Sequence, residues 1–285
     1  MNVGNLLNCF RIAVNNFRKW RANPRYYILA LLLLMFLNIF LAPVRRAASF
    51  VELPVSAWVF PFLMSNYYFL MIIMFGFVLF LCDAPFIDSE QAYLIIRSGK
   101  KTWLKGQLLY ICLASAVYFL FVFLVSVILL LPNITFSADW GKLLRTLSQT
   151  DLSQQFEVSL GISYKIIRLY HPAAAMGISA LMAWLVGVLF GVLLFVLNAF
   201  FSRAVGVIVT SGLVLLEIFA RSNPYRITYF SPVSWASLTI LDTEGISKYP
   251  SLSYAIVCTL LLILILSAVS LQWAKKRDIK VLPPL

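Results

Sequence analysis

The chain has 285 residues, of which 62% are hydrophobic and only 12% are charged, and its formal net charge is +12. An ordinary soluble domain has about 25% charged residues, so this composition excludes that class and predicts an integral membrane protein. The basic residues lie at the ends of apolar runs, which indicates anionic lipid head groups and membrane topology, not nucleic acid, as their partners.

Residues 1–23 are predicted to form an amphipathic helix that lies in the head-group plane. Leu6, Phe10 and Phe17 recur at helical spacing, and Arg18 lies on the opposite face. The first long apolar run begins only after this segment and has no small-x-small site behind it, so a cleavable signal peptide is not expected.

Six apolar runs approach the length of about 20 residues that a membrane span needs. The candidate spans are residues 26–42, 57–82, 108–131, 173–201, 204–220 and 252–273. The fifth is short, and it follows the fourth so closely that the two are predicted to form a tight hairpin. We expect an all-α fold with residues 1–285 in a single transmembrane domain.

The distribution of Lys and Arg predicts that both termini are cytoplasmic. With that orientation the short inner segments hold more basic residues than the longer outer ones, as the positive-inside rule requires. The doublet Arg45-Arg46, close to a span on the outer side, argues mildly against it. Residues 132–172 and 221–251 would then be outside.

The two outer segments carry patterns of their own. Residues 140–147 and 158–170 have apolar residues at helical spacing. Residues 229–238 are aromatic and only partly polar, so an outer-leaflet or re-entrant helix is predicted there, starting near Pro232. Irregular backbone at membrane depth must be satisfied by protein or water, so this piece should pack against the bundle.

A polar stretch between the second and third spans carries the signals of a short helix. Asp88 can cap its N-terminus with Gln91 three residues later, and Gly99 can adopt the left-handed conformation that ends it. Ile95 and Ile96 share one face. Two interpretations remain open: a soluble partner pushes on this helix, or it is an interfacial loop helix that ties two spans together.

Few polar residues lie within the spans. Glu217 is either functional, in substrate selection or at an outer gate, or paired with Arg221 four residues later, which we favour. Asn66 either lines a path or bonds across helices. A stripe of small residues predicts close approach of another helix, within this chain or from a second subunit; its members are Ser179, Ala183, Gly187 and Gly191.

No motif in the chain predicts catalysis or cofactor binding. Residues 99–102, Gly-Lys-Lys-Thr, lack the spacing of a phosphate-binding loop. The four cysteines are scattered, and no nucleophile, paired-carboxylate or metal-ligand pattern stands out. We therefore expect no enzyme activity, no metal and no cofactor in this chain.

Two further stretches are YLIIRSGKKTWLKGQ (93–107) and FSPVSW (230–235). Together with the N-terminal helix and the six spans, they resemble the permease subunits of bacterial type 2 ABC exporters. The resemblance implies a plasma-membrane protein with a coupling helix at residues 88–99, docked on a separate ATPase subunit that binds ATP and Mg²⁺. It assigns that contact to Asp88, Glu90, Gln91, Tyr93, Ile95, Ile96, Arg97 and Gly99.

The same resemblance implies a second permease copy or a paralogue as partner, besides membrane lipids. Few charges inside aromatic spans are compatible with a lipophilic or amphipathic substrate. The sequence departs from the family pattern at Asp83-Ala-Pro-Phe and in the long segment after the third span. The alternative function is an accessory membrane protein, such as an immunity or sensor component, without a transport path.

Overall fold

The structure is a computed structural model that describes residues 3–85, 89–222, 224–243, 245 and 247–276. Side chains are described for residues 6–85, 93–222, 225–243, 245 and 247–272. About 77% of the structure is helical, and its strands are two-residue segments.

Five helices in the described part of the chain are long and apolar enough to cross a membrane. They are α2 (Pro24–Val51), α6 (Lys100–Leu129), α10 (Pro172–Phe200), α11 (Arg203–Ser222) and α13 (Leu252–Lys276). The N-terminal helix α1 (Val3–Arg18) is followed by a 3-10 turn at Lys19–Ala22. The chain is therefore an all-helical membrane protein.

The predicted span 57–82 is not one helix. It divides into α3 (Phe60–Ser65) and α4 (Tyr67–Leu81). The break is at Asn66, whose extended backbone allows its side chain to accept a hydrogen bond from the Phe69 N–H and so start α4. α4 alone has 15 residues, fewer than a span ordinarily needs.

Two other helices extend beyond their predicted spans. α2 continues through the buried Pro43 and past Arg45 to Val51, where Glu52 ends it with a φ of 55°. Arg45 donates from Nη2 to Asn38 Oδ1 across 2.5 Å. This bond holds the arginine side chain against α2, although the predicted span ended at residue 42. α6 begins at Lys100 and not at 108. The helix therefore has two more turns than predicted, and these turns contain mostly polar residues.

The end of the bundle where α4 begins is covered by the long segment between α6 and α10. Strands β1 (Val55–Ser56) and β2 (Ile134–Thr135) pair in parallel there. Helices α7 (Gly141–Gln149), α8 (Leu152–Gln155) and α9 (Tyr164–Leu169) follow. The helix predicted at 140–147 thus forms as α7, whereas only the second half of 158–170 is helical.

Helix α10 lies at the centre of the bundle, and the stripe of small residues explains why. A Cβ on Gly187 would lie 2.6 Å from Phe119 Cε2, and one on Gly191 would lie 2.5 Å from Ile111 Cγ2. Ser179 and Ala183 are also fully buried. The stripe therefore allows α10 to approach α6 within this chain, which was one of the two predicted alternatives.

Candidate functional site

Helix α5 (Ser89–Ser98) lies where the coupling helix is predicted, and one of its apolar faces is open. Leu94 and Ile95 pack against the core. Tyr93 is 82% exposed and Ile96 is 83% exposed, and Arg97 beside them is exposed as well. Residues three apart lie on the same side of a helix, so Tyr93 and Ile96 form one outward apolar patch.

The predicted face is thus divided: Ile96 is on the surface, whereas Ile95 is half-buried against the protein. The predicted cap at Asp88 lies outside the described residues. Glu90 and Gln91 lie in α5, but their side chains are outside the described set, so the predicted capping box stays a prediction.

The C-terminal end of α5 joins directly to α6. Gly99 has a φ of +81° and a ψ of 149°, so its φ is positive as predicted while its ψ is not that of a left-handed helix. Its N–H donates to Ile95 O across 2.9 Å, and its carbonyl accepts from the Trp103 N–H across 3.0 Å. Trp103 is fully buried, so the joint between the two helices is held by the core.

Helix α1 packs against the first turns of α6. Asn16 Nδ2 donates to Gln107 Oε1 across 2.8 Å, and both side chains are buried. A Cβ on Gly106 would lie 2.8 Å from Ile12, so glycine is needed for this close approach. The side of α1 that faces α6 was not predicted, because its contacts join residues about 90 positions apart in the sequence.

The buried side of α1 also holds Cys9, which donates from Sγ to Thr102 O across 3.5 Å. Burial raises the pKa of the Cys9 thiol, although the charge of Lys105 acts in the opposite direction. A raised pKa favours the protonated form of the thiol, which is the less nucleophilic one. Leu6, Leu7 and Phe10 remain more than half exposed on another side of the helix.

The chain before α5 is held by an ion-pair cluster that the sequence analysis missed. Asp83 Oδ2 lies 2.6 Å from Arg25 Nη1, and Asp83 Oδ1 lies 3.6 Å from Arg203 Nη1. Asn198 Nδ2 donates to the carbonyl oxygens of Cys82 and Ala84 across 2.9 and 2.5 Å. These contacts join the end of α4 to the start of α2 and to the α10–α11 turn; we call them the inner anchor, after the side of the membrane that the Lys and Arg distribution predicts for them.

Glu217 is fully buried near the end of α11. Its Oε1 accepts from Arg221 Nε across 3.3 Å, as the favoured prediction states. Its Oε2 accepts from Ser231 Oγ across 3.3 Å and from Ser234 Oγ. The carboxylate thus has three donors, and two of them come from the segment before α13.

That segment, residues 228–241, lies mostly buried against the bundle. It contains a 3-10 turn at Ser234–Ala236, where a helix starting near Pro232 is predicted. Trp235 Nε1 donates to Thr228 O across 2.9 Å, and Tyr254 Oη on α13 donates to Tyr229 O across 3.1 Å. Glu217 therefore fixes a folded cap, which we call the outer cap, after the side of the membrane predicted for it.

Asn66, the other residue predicted for a path, has local partners. Its Oδ1 accepts from the Phe69 N–H across 3.1 Å and its Nδ2 donates to Ser159 O across 2.6 Å. The next residue, Tyr67, lies under Arg221, with 5.3 Å between the guanidinium carbon and the ring centroid. A role in a path stays a prediction for Glu217 and Asn66.

Within the described residues, His, Cys, Asp and Glu form no group that could hold a metal ion.

The described geometry therefore contains a helix with an exposed apolar patch, which is joined at its C-terminal end to the core, and a carboxylate that fixes a cap near the C-terminal end of α11. No protein-family model matches the chain. Comparison with curated proteins gives no match, and comparison with solved structures gives none.

Proposed function

We propose that this chain is the membrane-spanning permease subunit of an ATP-driven exporter and that a separate ATPase subunit docks on α5. One observation carries the proposal: α5 exposes Tyr93 and Ile96 while Leu94 and Ile95 fix it to the core. A docking helix buries such side chains against its partner, whereas an interfacial loop helix would place them in the head-group region, so the co-purification below is chosen to separate the two.

The way α5 is attached supports a role in transmitting force. On its C-terminal side Trp103 is buried, and on its N-terminal side Asp83 pairs with Arg25 and Arg203. A displacement of α5 would therefore reach α6 directly. Packed elements of this kind move as units because interiors are densely filled.

A sixth span, formed by α3 and α4, belongs to the proposal. α4 lies along α11, with Tyr67 beside Arg221 at one end and Asp83 beside Arg203 at the other. The 20 residues of α11 extend about 30 Å, which is the thickness of the hydrocarbon core. α4 and its flanks cover that same length, which supports counting it as a span.

The orientation of the chain and the position of α1 in the head-group plane are also proposed. α1 has one side packed on α6 and another bearing exposed Leu6, Leu7 and Phe10, as a helix at the head-group level would. The basic residues near α5 favour the cytoplasmic side for this end. A substrate of lipophilic or amphipathic character and a second permease copy or paralogue complete the proposal.

Co-purification tests the docking surface. The tagged chain is isolated from its source membranes in mild detergent, and ATP hydrolysis and labelling of a second polypeptide by an azido-ATP are measured. Ile96→Asp should lower both at least tenfold, because a central apolar contact contributes about 2 kcal/mol or more. The matched control is Phe136→Asp, since Phe136 is 78% exposed and lies in the segment over the opposite end.

Equal loss in both variants, or full retention in Ile96→Asp, would refute the docking assignment. If the wild-type chain brings down no nucleotide-binding polypeptide, the accessory-protein alternative is favoured. The side of the membrane on which each residue lies is tested separately, with Tyr93→Cys and Phe136→Cys in a background without native cysteines. In vesicles stripped of peripheral subunits, a membrane-impermeant maleimide should label Tyr93→Cys only when they are inside-out and Phe136→Cys only when they are right-side-out.

A further inference from the structure

An apolar cleft of about 310 Å³ lies between the 3-10 turn after α1, the first turns of α2, the end of α4 and the middle of α6. Trp20, Tyr26, Phe80 and Tyr118 form its aromatic wall. Along α2 it extends from Tyr26 to Leu33, and seven residues of helix correspond to about 10 Å of depth.

The polar atoms of this wall are engaged by the protein. Trp20 Nε1 donates to Tyr110 Oη across 2.8 Å, and Tyr118 Oη donates to Ile73 O across 2.7 Å. Tyr26 Oη accepts from Arg25 Nη2 across 3.4 Å. The wall thus presents ring faces and aliphatic carbon, so a polar solute would find few hydrogen-bond partners inside it.

The aromatic wall is also rigid. The Trp20 ring stacks on Tyr26 with centroids 5.4 Å apart, and it meets Phe80 edge to face at 5.2 Å. Phe80 in turn lies 5.3 Å from the Tyr118 ring. Because these rings support one another, the cleft is preformed and does not depend on an occupant for its shape.

The two sides of the opening differ in chemistry. Val117 and Tyr27 at the mouth are 41% and 61% exposed, on faces of α6 and α2 that are otherwise apolar, so this side opens toward hydrocarbon. At the end near α1 the lining includes Arg21, which is exposed, and Arg18 one turn earlier is exposed too. The residues that line the cleft include no acid.

We propose that this cleft is a binding site for one anionic phospholipid. An acyl chain enters between α2 and α6, and the phosphate lies beside the guanidinium of Arg21. The interior of the cleft is apolar and its rim is basic. This combination matches a phospholipid at the boundary between hydrocarbon and head groups, because its acyl chain is apolar and its phosphate is negatively charged. The site does not depend on the proposed transport function.

Native mass spectrometry of the full chain released from nanodiscs of equimolar dioleoyl phosphatidylglycerol and dioleoyl phosphatidylcholine tests the site. The wild type should retain one phosphatidylglycerol in about fivefold preference over phosphatidylcholine, the factor expected from one nearby arginine. Arg21→Gln should bring the two lipids to parity. Arg11→Gln should leave the preference unchanged, since Arg11 is exposed on α1 but does not line the cleft.

Occupancy of the cleft itself is tested by filling it. Val117→Trp should abolish retention of the lipid, whereas Leu124→Trp should not, because Leu124 is an exposed residue of the same helix outside the lining. Loss of preference in Arg11→Gln, equal retention of both lipids by the wild type, or a retained molecule that is no phospholipid would overturn the assignment. If Val117→Trp does not fold, Arg21→Gln against Arg11→Gln decides alone.

Discussion

Glu217→Gln should release the outer cap while leaving the rest of the bundle folded. The substitution keeps the size of the side chain but replaces a carboxylate that accepts from Arg221, Ser231 and Ser234. A glutamine amide offers one oxygen and turns two N–H donors toward groups that are themselves donors. The two serine hydroxyls lie in fully buried residues, so neither can turn to water for a substitute acceptor.

The expected loss of stability follows from these bonds. A hydrogen bond to a charged group contributes roughly 1.5–3 kcal/mol, a neutral one roughly 0.5–1.5, and bonds inside membranes average about 0.6. Exchanging two buried charge-assisted bonds for weaker or missing ones therefore costs about 2 kcal/mol. Arg221 adds little, because its side chain is 34% exposed and the ion pair is partly screened.

Hydrogen exchange and unfolding in mixed micelles containing dodecyl sulfate measure this effect. In Glu217→Gln, exchange should accelerate about thirtyfold in residues 228–241 and hardly at all in α10. Arg221→Gln should shift stability by less than 1 kcal/mol. Ser222→Ala, an exposed position on the same helix, is the neutral control. If Glu217→Gln matches Ser222→Ala, or if exchange accelerates evenly along the chain, Glu217 does not hold the cap.

Three further predictions concern contacts between helices of the bundle. Gly191→Val should lower stability by about 2–3 kcal/mol in the same unfolding assay, whereas Gly177→Ala, with open space around it, should be tolerated. Asn16→Leu should remove a buried bond to Gln107, lower stability by about 1–2 kcal/mol and expose α1 to protease in a time course. Asp83→Asn should leave binding of the proposed ATPase unchanged while reducing substrate transport in proteoliposomes severalfold, because the inner anchor loosens; unchanged transport would contradict that role.

Features that depend on local spacing were accessible from the sequence. Apolar runs predicted the long helices, and Glu217 with Arg221 followed from an interval of four residues. The break at Asn66 was less accessible. Asparagine is a favoured N-cap residue, but apolar residues continue on both sides of Asn66. A prediction based on hydropathy therefore treats the whole run as one span.

Contacts between distant parts of the chain could not be predicted in this way. Asn16 and Gln107 are 91 residues apart, and Asp83 meets arginines from two other segments. Polar residues at the ends of spans look alike in sequence, whether they face water, lipid head groups or one another. Only the three-dimensional arrangement separates a charge that sets topology from a charge that joins helices.

Under the proposed function, the position of α1 would give this N-terminal helix a mechanical role that its amphipathic pattern alone does not indicate. α6 continues two turns below its apolar run, and α1 packs on those turns where Trp103 joins α5 to the core. A force on α5 that tilted α6 would therefore have to move α1 or break the bond between Asn16 and Gln107. If α1 lies at the head-group level, it resists rotation out of that plane, because its exposed apolar side would leave the lipid. α1 would then be the fixed element about which α5 and α6 rotate together.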